Sequence, residues 1–191
     1  MDHSLQAQTV IGAGRGTLIT GIAGAGWLAW GLSEARAFNG IVGPALGFTE
    51  LFLLVGSIYV IRQGRRLRQQ YGPVPASMRR ATLKPFLLVL LVEVLAISLV
   101  LVLAYRLRRA DLGADWCALV VGLHYLPLAK IFRAPILGVL GTLITLWCLL
   151  AWALFRPHAL LISAAMGTGI LLLAACVAGL LRARKIIHSL P

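Results

Sequence analysis

Acidic residues are the scarcest chemistry in this chain: six Asp or Glu stand among 191 residues, against 18 Lys or Arg. Charge of either sign reaches only 13% of the sequence, which excludes a soluble helical domain, where every helix needs a solvated face. Cysteine is limited to Cys117, Cys148 and Cys176. All three fall inside apolar runs and none forms a CxxC pair, a pattern that favours small buried hydrophobes over disulfide, redox or metal roles. HExxH, GxSxG and P-loop signatures are also missing, so no familiar catalytic class is indicated.

What is present is hydrophobicity. Sixty per cent of the residues are hydrophobic and the mean hydropathy is +0.90, the composition of an integral membrane protein. The net charge of +12 does not indicate nucleic acid, because the basic residues sit at the ends of apolar spans, where they face lipid headgroups. Fifteen of the eighteen are Arg, which hints at a GC-rich bacterial genome.

Six windows are long enough, at roughly 17 to 24 residues, to cross a bilayer core of about 30 Å. They cover 16–33, 38–61, 85–105, 114–132, 135–155 and 158–181. The first resembles a signal peptide, with Arg15 before it and Ala35-Arg36-Ala37 after it; it is read as a retained helix anchored by Trp27 and Trp30. The expected fold is therefore all-α, a single six-helix membrane domain over 1–191, built as three in-out-in hairpins. With both termini cytoplasmic, the inner side would hold thirteen basic residues and the outer side Arg36, Arg106, Arg108, Arg109 and Arg156, with Asp111 and Asp115 offsetting part of that outer group. This bias predicts a bacterial inner membrane protein with N-terminus and C-terminus inside.

The longest predicted loop carries Arg62, Arg65, Arg66, Arg68, Arg79, Arg80 and Lys84 and no acidic residue. It is expected to rest on anionic lipid at the cytoplasmic face or to dock an acidic partner, with Gly72-Pro73-Val74-Pro75 dividing it into two basic arms. The glycines of the first span, with Gly43 and Gly47 of the second, predict close packing of spans one and two or homo-oligomerisation through the same surface.

Three charged or ionisable residues interrupt the apolar windows at similar depth: Glu50, Glu93 and His124. Such residues face the bundle interior and pair, because an isolated charge in lipid costs several kcal/mol or more. Together with Tyr125 they are the predicted polar pocket, suited to binding or passing a proton, a cation or a small molecule. Pro127 removes the amide that would bond the Leu123 carbonyl, and Pro44 does the same to Gly40, so a broken helix beside the pocket is expected. Metal ligation lacks any motif spacing, and no cofactor is implied. Two alternatives remain: an accessory or scaffold subunit whose polar residues are interhelical glue, and an unrecognised membrane enzyme acting on a lipid. The remaining histidines, His3, His158 and His188, lie at span ends and are expected to be solvated.

The run GLHYLPLA, residues 122 to 129, taken with the six-span layout, resembles a segment of small uncharacterised bacterial membrane proteins. The resemblance implies no activity, substrate or catalytic residue.

The charge bias has a direct test. Green fluorescent protein fused at the C-terminus is expected to fluoresce and alkaline phosphatase at the same junction to be inactive; the opposite pattern would place the termini outside.

Overall fold

The computed structural model describes residues 3–72 and 76–189, with the side chains of 76–81, 110, 111 and 157 left out. Among the described residues every regular element is an α-helix: α1 His3–Glu34, α2 Val42–Tyr71, α3 Ala76–Arg106, α4 Ala110–Phe132, α5 Pro135–Leu154 and α6 Pro157–His188. Five of them, α2 to α6, are long and apolar enough to cross a membrane. The chain is thus a helical, membrane-embedded protein in its physical character. α1 does not join that set, because glycines and threonines dilute its apolar run.

The helix ends follow from local chemistry. Asn39 Oδ1 accepts from the backbone N–H groups of Ile41 and Val42, 3.0 Å each, satisfying amides that open α2. Pro135 and Pro157 start α5 and α6, positions where the missing N–H has no helical partner to lose. α1, α3 and α4 each stop on an arginine in the left-handed region, Arg36, Arg108 and Arg133, with φ of 53°, 53° and 50°. In all three the next N–H reaches back five residues: Ala37 to Leu32, Arg109 to Ala104 and Ala134 to Ala129. This is the double-bonded cap that usually carries glycine; an arginine there costs about 1 kcal/mol and sets a cation at the helix end.

α6 is central, packing on α1, α2, α4 and α5, whereas α3 among the described residues packs only on α4. Three backbone-close crossings hold the bundle. Between α1 and α2, Gly14 seats against Ile61 and Gly64 against Ile11, where an added methyl would lie 3.1 and 2.9 Å from the facing backbone nitrogens. Between α1 and α6, Gly24 and Gly169 face each other's carbonyls, and between α4 and α5, Gly122 and Gly141 do the same work. In lipid, where tails are as apolar as leucine, such contact supplies packing that the hydrophobic effect does not. The expectation for the first span is corrected in part: its glycines divide between α2 and α6, and α6 is the more extensive neighbour. Gly12, Gly16, Gly26 and Gly47 have nothing within 4 Å of an added methyl.

The predicted basic loop is corrected more sharply. α2 runs on through Arg62, Arg65, Arg66 and Arg68 to Tyr71, and α3 begins at Ala76, so most of the segment is helix. Arginine, glutamine and leucine are good helix formers, and with no glycine or proline between Arg65 and Tyr71 nothing stops the helix until Gly72, whose φ is 85°. The Arg79 and Arg80 side chains lie outside the described residues. The prolines also act more gently than expected. Pro44 sits in the first turn of α2, and α4 passes through Pro127 as one continuous helix from Ala110 to Phe132.

Gly122→Val would push side-chain carbon into the backbone of Thr145. It is expected to lower stability by about 1 to 3 kcal/mol in a detergent unfolding assay. Gly12→Ala, facing open space, is expected to be neutral or to gain up to about 1 kcal/mol.

Candidate functional site

Glu93 lies on α3 and His124 on α4, and the packing of α3 on α4 brings them together. Glu93 Oε1 is 3.1 Å from His124 Nδ1, and each side chain is only 14% exposed. The approach lies off the Nδ1–H direction, so the pair has ion-pair distance without an aligned hydrogen bond. Tyr125 packs on the imidazole, with ring centroids 4.4 Å apart and planes inclined at 36°. It is buried in the core formed with Ala118, Leu128, Leu140, Ile144, Cys148 and Leu172. The imidazole is therefore held between a carboxylate on α3 and an aromatic ring fixed by α5 and α6.

Glu50 does not join this pair. It lies on α2, which among the described residues makes no contact with α3, α4 or α5. Its carboxylate points at the bare backbone of Gly21 on α1, where an added methyl would be 3.4 Å from Oε1 and 3.5 Å from Cys176 Sγ of α6. Both oxygens are shielded from solvent and have no hydrogen-bond partner among the described residues. The predicted three-residue cluster thus divides, and the reason is topological: α6 stands between the α1–α2 hairpin and α4.

Around Glu50 the α1, α2 and α6 interface carries further polar groups. Thr17 Oγ1 and Ser57 Oγ are 2.9 Å apart, and Cys176 Sγ donates to the Thr17 carbonyl at 3.2 Å. Thr17, Ser57 and Cys176 are all buried. A pattern in the sequence does mark this seam: Gly14, Thr17, Gly21, Gly24 and Gly31 share one face of α1, and Glu50, Leu53, Ser57, Val60 and Gly64 share one face of α2. Ser98, by contrast, bonds its own helix, donating to the Val94 carbonyl at 2.7 Å.

Asp115 is the residue that sequence reasoning misplaced. Expected to offset outer-face arginines, it is only 4% exposed, with Oδ1 unpartnered among the described residues. Its neighbourhood includes Cys148 of α5, which also lies beside Thr168 of α6, and both of these are buried. Its burial was decided by which face of α4 turned toward α5 and α6. The three cysteines are free and buried, in keeping with small apolar side chains. The histidines His3, His158 and His188 are exposed, and His3 packs against Tyr71 with centroids 5.0 Å apart.

No family model, curated protein or solved structure matches this chain.

The Thr17–Ser57 contact gives a quantitative expectation. Ser57→Ala or Thr17→Val should each cost about 0.6 to 2 kcal/mol in detergent unfolding, and the double variant should cost less than their sum. Strict additivity would show that the two hydroxyls are not coupled.

Proposed function

We propose that this is a six-span protein of a bacterial inner membrane, with both termini cytoplasmic, in which Glu93 and His124 form an intramembrane site for a proton or small cation. The observation that carries the reading is the 3.1 Å separation of a carboxylate and an imidazole within the apolar stretches of two helices. Ionisable groups at such depth are costly and mark ion or proton pathways more often than ordinary packing does. A carboxylate and an imidazole in contact can hold one proton between them and exchange it in coupled steps. Tyr125 would fix the ring orientation. α1 serves as the sixth span, its polar and glycine-rich face covered by α2 and α6. Glu50, enclosed against Gly21, is assigned to the packing of that seam.

A second reading is supported by α3. Its apolar window contains no buried residue, so a second copy or another membrane protein could cover it, and Glu93 would then be glue in an accessory subunit.

Proteoliposomes separate the two. Under an imposed potential, wild-type protein is expected to pass protons to a trapped pH-sensitive dye, while Glu93→Gln and His124→Ala fall at least tenfold, and Glu50→Gln stays near wild type. Wild-type vesicles no leakier than empty ones, or Glu93 and His124 variants that conduct as wild type, would discard the conducting site.

A further inference from the structure

The ends of α1, α2 and α6 that run past the apolar stretches form a three-helix prow with its own small core of Val10, Val60 and Ala183. Its surface carries Arg15, four arginines of α2, and Arg182, Arg184 and Lys185 of α6. Residues 3–15, 61–72 and 182–189 contain no Asp or Glu. Eight cations therefore share one protrusion whose described residues include no Asp or Glu, a surface that favours an anionic partner.

Two grooves open on this prow. One, of about 340 Å³, lies between α1 and α2 and is lined by Arg15, Arg65, Arg68 and Gln69. The other, of about 450 Å³, includes Gln6 and Thr9 of α1 with Arg182 and Lys185 of α6. The crossing of Gly14 on Ile61 sets Arg15 level with the point where α2 changes from Val60-Ile61 to Arg62, the edge of the apolar stretch. The α1–α2 groove therefore starts at that edge, where lipid phosphates lie just outside the hydrocarbon, and Arg65 and Arg68 continue it outward.

The surface below the first groove fits what hangs from such a phosphate. Ile19 and Ile22 continue the Arg15 face of α1 and are 63% and 56% exposed; Ile58 and Val55 are exposed on α2. Gly12 and Gly16 flank Arg15 with open space, leaving room beside its guanidinium. We propose that the α1–α2 groove binds one anionic phospholipid, its phosphate clasped by Arg15, Arg65 and Arg68 and its chains laid along Ile19, Ile22, Ile58 and Val55. Guanidinium forks suit a phosphate because they can donate two parallel hydrogen bonds each. The inference is independent of the Glu93–His124 pair.

Native mass spectrometry of the delipidated full chain tests it, with phosphatidylglycerol and phosphatidylcholine of matched chains as probes. A single phosphatidylglycerol adduct is expected, at least tenfold preferred. R15Q/R65Q/R68Q should abolish the preference, and R182Q/R184Q/K185Q, which removes the same charge, should keep it; Arg15→Gln alone should weaken it severalfold. Equal binding of the two lipids by wild-type protein would overturn the site, as would a preference surviving R15Q/R65Q/R68Q or lost equally in both triple variants. Displacement of the lipid by millimolar inorganic phosphate would reassign the groove to a soluble anion and overturn the lipid assignment.

Discussion

Close backbone contact between helices is the constraint on which this structure rests. A bilayer gives apolar side chains nothing to escape from, so α1, α2 and α6, and likewise α4 and α5, approach until glycine backbones touch. Gly14 with Gly64, Gly24 with Gly169, and Gly122 with Gly141 fix the register of the helices they join. Every other placement inherits that register. Arg15 is level with Ile61 because Gly14 is seated there, and Tyr125 is locked because Gly141 admits it.

The same constraint sorts the polar groups. A helix side that approaches a neighbour this closely favours small polar groups, and those buried at the seam of α1, α2 and α6 are Thr17, Thr20, Ser57 and Cys176. Glu50 is the large exception and is accommodated because Gly21 has no side chain. Among the described residues α3 packs only on α4, and that contact is where Glu93 meets His124.

Much was legible in the sequence. Charge scarcity and apolar runs gave the all-helical membrane character and placed five long apolar helices near their observed positions. That Glu93 and His124 lie well inside their helices was also readable, from count along the chain alone. The basic segment after residue 61 was less so: its charge was plain, but its good helix formers continue α2 to Gly72, where α1 and α6 extend alongside and partly cover Leu67. Asp115 and Glu50 were illegible for a related reason. Their depth could be counted, but the neighbour that each would face could not.

Position along a helix is therefore what the sequence determined by itself, because rise per residue and apolar length are local properties. Which helix lies beside which was decided only by tertiary structure. Packing in lipid depends on the shapes of paired faces that are distant in the chain, and glycines at 14, 24 and 122 look alike until their partners are present. α6 standing between α2 and α4 made one polar cluster into two, leaving His124 with Glu93 and Glu50 with Gly21.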